Sequence, residues 1–179
     1  MGVRRKKVVG VVNYSSDTDK VYKIKTIDIE IAVARLFDFR KYNIVPNISW
    51  GFHGLHECDL FLVNSSKYCY EVEIKISKSD FLKDFEKGHG HKSNYIKDFY
   101  YAMPVTLYEK VKEQIPEHAG AITCEISRGR VVANIVKNPI SNKNAKKISL
   151  EDELKILRLA TMRIWSLKEK IIKLNNESK

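Results

Sequence analysis

A chain of 179 residues is long enough for one domain with a buried core, and 44% hydrophobic residues is ordinary for a globular protein. Lys plus Arg number 32 against 22 Asp plus Glu, and the net charge of +10 favours polyanionic partners, nucleic acid foremost. No apolar run approaches the roughly 18 residues of a membrane span. The three cysteines, far apart and without a CxxC, argue against a disulfide framework or a zinc knuckle.

The start, "MGVRRKKVVG", is basic but is followed by no apolar signal segment, and Lys6 stands where a myristoylation signal needs Ser or Thr. A cytoplasmic protein with no membrane association is expected. Residues 1–20 form a basic lead-in, in which "VVGVV" at 8–12 suits a short edge strand. "TIDIEIAVARLFDF" sets Ile27, Ile31, Ala34 and Phe37 at helical spacing, with Thr26 as cap, and predicts a helix over about 27–38. "NIVPNISWGF" is an irregular strand that Pro46 confines to an edge or a bulge.

"HECDLFLV" and "YCYEVEIKI" both alternate and are joined by the turn "NSSK", so they predict a hairpin. It feeds a helix at "SKSDFLKDFEK", where Ser77 and Asp80 have capping-box spacing. After the loop "GHGHKSN" come a strand "IKDFYYAMP", a helix "TLYEKVKEQI" between Pro104 and Pro116, and a second hairpin "AGAITCEIS"/"RVVANIVK". "NPISNKNAKK" is a polar linker. From Ser149 a long helix runs to about Asn175, with Leu150, Leu154, Leu157, Thr161, Ile164, Leu167, Ile171 and Leu174 as a stripe suited to packing on the sheet or to a homodimer seam. The order predicts an α/β or α+β fold with a mixed sheet flanked by helices. The expected division is a core over 21–140 and a linker with C-terminal helix over 141–179.

Chemistry concentrates in the first hairpin. A three-residue loop, Ser65 to Lys67, pairs Leu62 with Tyr70 and Leu60 with Val72, which makes the apolar faces coincide and brings Asp59 opposite Glu73. A two-residue loop would scatter the apolar face. Two carboxylates that close repel each other unless a cation lies between them, and a hard divalent ion does this best. Lys75, on the same face, can orient or deprotonate a water beside such an ion.

Asp59 followed on the next strand by Glu73-Ile74-Lys75 resembles the PD-(D/E)XK nuclease superfamily, restriction-endonuclease-like in fold. "EVEIKISKSDFLKDF" and "HKSNYIKDFYYAMP…LYEKVKEQIPEHAGAI" are similar in particular to the MmcB-like DNA repair proteins and their phage-encoded relatives, over about residues 26–126. The chain departs from the superfamily at Cys58, where a proline usually precedes the first acid. The resemblance implies a Mg²⁺-dependent deoxyribonuclease, with Mn²⁺ able to substitute, acting in DNA repair or phage DNA processing. Asp59, Glu73 and the Ile74 carbonyl would hold the metal, Lys75 would position the water, and Glu30 would be an outer acid.

Lys78, Lys83 and Lys87, with His91 and Lys92 in the loop, are candidates for phosphate contacts. Each feature has a plainer reading. Asp59, Glu73 and Lys75 also suit a solvated strand face, with Glu71 a solvated or supporting neighbour. The lysines suit a solvated helix face. His53, His56, Cys58 and Cys69 match no standard zinc template. Tyr95, Phe99, Tyr100 and Tyr101 could stack bases, but Phe99 and Tyr101 share a face suited to the core. The alternative function is a catalytically inactive nucleic-acid-binding module on the same fold.

Overall fold

The computed structural model describes residues 23–48, 57–86 and 93–177. Its elements are α1 (Thr26–Leu36), β1 (Asn43–Ile48), β2 (Cys58–Val63), β3 (Cys69–Ile74), α2 (Lys78–Lys83), β4 (Ile96–Pro104), α3 (Val105–Val111), β5 (Gly120–Ser127), β6 (Arg130–Lys137) and α4 (Leu150–Glu177). This is the predicted order of helices and strands. The lead-in with "VVGVV" lies outside the described residues.

The six strands form one sheet in the order β1-β2-β3-β4-β5-β6. β3, β4 and β5 run parallel, and the remaining neighbours are antiparallel. The two parallel crossovers pass through α2 and α3, whose Phe81, Leu107 and Val111 enter the same core layer as Phe61, Phe99 and Tyr101. The opposite sheet face, with Leu60, Leu62, Val72, Tyr100 and Ile122, is covered by Ile29, Ala32 and Val33 of α1. The fold is therefore α+β, a mixed sheet with helices on both faces. Pro46 lies in β1 at the sheet edge, as its missing donor requires.

The hairpin of β2 and β3 takes the expected register, Leu60 with Val72 and Leu62 with Tyr70. The Asn64 side chain accepts from the Tyr68 amide at 3.0 Å, and Lys67 adopts a φ of 68° to close the three-residue turn. Gly120 is where β5 passes the ring of Tyr100. A Cβ there would sit 2.6 Å from that ring, so only glycine permits the pairing of the two residues.

Three local expectations need correction. In α1, Ile27 and Ile31 face solvent while Ile29, Ala32 and Val33 are buried. Two apolar stripes compete on this helix, and the one carrying Ala32 lets it approach the sheet. Its N-cap is Lys25, whose amide donates to Asp28 at 2.8 Å, and Thr26 is the first helical residue.

The polar segment after β6 is a strap bonded to β4 and to the loops beside the sheet. Ile140 donates to the His118 carbonyl, Asn142 to Lys97, Lys146 to Asn94 and Ile148 to Lys67, all through backbone amides. It ends in a capping box, where Asp152 N–H donates to Ser149 Oγ at 3.1 Å and the Ser149 amide donates to Asp152.

The stripe of α4 does not pack along the sheet. Only Glu153 and Ile156 of that helix are buried. Glu153 accepts from Asn43 at 2.9 Å and pairs with Lys67, and Arg163 donates to the Asn47 carbonyl at 2.6 Å. Beyond Arg163 the described helix is exposed. Among the described residues, no helix is long and apolar enough to cross a membrane.

Candidate functional site

The carboxyl end of β3 is the point where the sheet changes character, antiparallel to β2 on one side and parallel to β4 on the other. Open sheets commonly bind ligands beyond the carboxyl ends of strands at such points. The amide of Lys75 turns to β4 and donates to the Ala102 carbonyl at 2.9 Å. The neighbouring amide of Ile74 therefore points to β2, and there the carboxylate of Asp59 accepts it at 2.7 Å.

The β2–β3 ladder itself ends at Leu60 and Val72. The sheet also changes phase here. Cys58 and Phe61 enter the same core layer, as do Val45 and Ile48, and Asn47 between the latter pair has a φ of 51°. Three-residue spacing on one face means that the alternation slips by one residue, a bulge-like distortion that re-aims Asp59.

Glu71, Glu73 and Lys75 lie on the sheet face under α2, each at most 3% exposed. This corrects the reading of a solvated strand face, and of Glu71 as a solvated neighbour. The lysine lies 3.5 Å from Glu73 Oε2 and donates to Asp84 Oδ1 at 2.9 Å. Asp84 follows α2, is buried, and accepts on its other oxygen from the Tyr101 hydroxyl at 2.8 Å. Burial alone would lower the Lys75 pKa, but the hydrogen bond to Asp84 and the charges of Glu73 and Asp84 hold it above the ordinary value. At neutral pH Lys75 is an ammonium ion, so it can donate and attract but cannot take a proton.

The surrounding potential is negative. The thiol of Cys58 is pushed up first by burial and then by Glu71, Glu73, Asp59 and Glu57. Glu30 on α1 is pushed up by burial and by the charge of Asp59. The structure thus ties Asp59 to the Ile74 amide and Glu73 to Lys75, without pairing Asp59 and Glu73 in the ladder, and puts Glu30 within reach of Asp59's field.

Lys78 and Lys83 are exposed on α2 beside this end of the sheet. Lys87, His91 and Lys92 lie outside the described residues, as do His53 and His56. Cys58 and Cys69 are core thiols, with burial pushing Cys69 up to about 12. Phe99 and Tyr101 fill the core under α2, and Tyr100 the opposite layer.

Sequence reasoning missed Asp84 and the tie that Tyr101 makes to it. A signal was present: Asp84 stands three residues after core-facing Phe81, on the same helical face.

Among the described residues no three His, Cys, Asp or Glu side chains converge on one point as a metal cluster. The set implied for a divalent ion is two carboxylates and a carbonyl. These are hard oxygens in a region with an excess of negative charge, and they suit Mg²⁺.

No family model and no curated protein matches the sequence. Among solved structures the chain is similar to a protein of unknown function from Silicibacter pomeroyi, at 16% identity and a TM-score of 0.55, over 82% of this chain and 90% of that one. The likeness shows a shared fold.

Proposed function

We propose that the chain is a metal-dependent nuclease hydrolysing phosphodiester bonds in DNA. The observation that carries the reading is the reach of Asp59 across the end of β2 to the Ile74 amide, beside Glu73 and the charged Lys75. Asp59, Glu73 and the Ile74 carbonyl would hold the divalent ion. Mg²⁺, or Mn²⁺ in its place, would polarise a phosphoryl oxygen and acidify a water. Lys75 has three donors, and its contacts with Asp84 and Glu73 leave one to orient that water or a phosphate oxygen. Glu30, with its raised affinity for a proton, can receive one passed outward from the water. The exposed Lys78 and Lys83 would steady the nucleic acid backbone.

The test is plasmid nicking with Mg²⁺ or Mn²⁺. Asp59→Asn keeps an acceptor for the Ile74 amide but removes the charge, so it isolates the role of the charge. A loss of about a hundredfold or more in rate is expected for Asp59→Asn and Glu73→Gln. Asp59→Asn cleaving as fast as the parent would remove the assignment.

The second reading, a nucleic-acid-binding module without catalysis, is favoured by the near-complete burial of Glu73 and Lys75. It requires salt-sensitive DNA binding that needs no divalent ion, and no cut product.

A further inference from the structure

The distal half of α4 carries a coiled-coil pattern in which Ile164, Leu167 and Ile171 are exposed. With Leu157 at position a, the core positions continue as Ala160, Ile164, Leu167, Ile171 and Leu174, a strict 3.5-residue alternation. Ala160 still packs on the domain, but Ile164, Leu167 and Ile171 are 53%, 51% and 55% exposed. Trp165 and Ile172 widen the apolar face and are likewise exposed. The helix is held in place from its first turns by Glu153, Ile156 and Arg163, so the seam is preformed and a partner need not order it.

The charges that flank this seam decide what fits it. Positions e and g between Leu157 and Leu174 hold Arg163, Lys168 and Lys170 as their only charged residues, all cationic. In a parallel pair of identical helices Arg163 would face Lys168 of the second copy, and in an antiparallel pair cations again face cations. Self-pairing therefore meets like charge in either orientation. The chain's own lead-in over 1–20, with five Lys and Arg against two Asp, is basic too and a poor complement.

We propose that the seam formed by Ile164, Leu167 and Ile171 is the docking face for an acidic amphipathic helix of a different protein, with carboxylates opposite Arg163, Lys168 and Lys170. Isoleucine at a and leucine at d suit a two-stranded parallel pair. The role of this face is recruitment.

The test uses the full chain and two designed helical probes with identical Ile and Leu cores, one with Glu at every e and g position and the other with Lys. Titration calorimetry, with emission of Trp165 in a Trp50→Phe background, reads binding. The Glu probe is expected to bind at least about tenfold more tightly than the Lys probe and to weaken as salt rises. Ile164→Asp is expected to abolish capture, and the double variant K168E/K170E, which leaves the Arg163 anchor in place, to reverse the preference. The charge-swapped variant keeps the core intact and guards against misfolding.

Equal binding of both probes would overturn the proposal, as would a dimer of the chain alone at the same concentration in sedimentation equilibrium. Capture by phosphatidylglycerol vesicles but not by the Glu probe would assign the face to a lipid surface instead. A fall in melting temperature of the isolated chain on Ile164→Asp would show that the chain covers the face itself, and would also end the idea.

Discussion

Lys75 is the residue on which the candidate site turns, and Asp84 decides its state. A basic group whose pKa is raised on folding contributes stability that is present below its ordinary value and is lost as pH rises through the folded value. The pair therefore persists through neutral pH and weakens only in alkali. Asp84→Asn retains the hydrogen bond to Tyr101 but removes the charge. In a nuclease assay it should move the alkaline limb of the pH–rate profile to lower pH, whereas a purely structural role would leave that limb in place. Glu30 has linkage of the same sign in a lower pH window. An acid raised on folding costs stability as pH climbs above its ordinary value, so Glu30→Gln should raise the melting temperature at pH 7 and leave it unchanged near pH 3. Glu30 is partly exposed, and the gain should stay below about 1 kcal/mol. Added Mg²⁺ should shrink the difference if an ion sits beside Asp59, which melting curves with and without the ion would show.

At the scale of elements, α4 divides into an anchor and a projection. Ile156 is 1% exposed in the core layer under α3, so Ile156→Ala should cost about 2–5 kcal/mol in chemical denaturation. Ile172→Ala, on the exposed half, should fall within about 0.5 kcal/mol of the parent. The same contrast explains what the sequence could disclose. The hairpin register was legible because Leu60, Leu62 and Val72 coincide in only one pairing, and the order of elements followed from period and turn residues. The packed face of α1 was not, because Ile27 and Ile31 compete with Ile29 and Val33 and nothing local ranks the two stripes. The stripe of α4 announced an amphipathic helix, but periodicity says nothing of what lies opposite. Asp84 was hidden because "KDFEK" has the composition of a solvated helix, and only its bonds to Lys75 and Tyr101 reveal the buried acid.

For the whole molecule, the surplus of +10 predicts DNA binding that falls steeply with salt. Lys78→Glu with Lys83→Glu should weaken binding across all sequences and lower the slope against log salt by roughly 1 for each phosphate no longer neutralised, measured by fluorescence anisotropy. An unchanged slope would remove α2 from the interface. Truncation divides the C-terminal region in the same spirit. A chain ended after Arg163 should melt near the parent temperature, while one ended after Lys147 should unfold many degrees lower, because Ile148 and Ile156 complete the core beneath the strap.

That strap carries a consequence for biosynthesis. All six described β-strands have been synthesised by Lys137, yet the groove they leave open is filled by residues made afterwards. A nascent polypeptide stalled in between would display wet hydrophobic surface to chaperones and proteases. Closure of this core layer is thereby deferred until Ile148 and Ile156 have been made and have emerged.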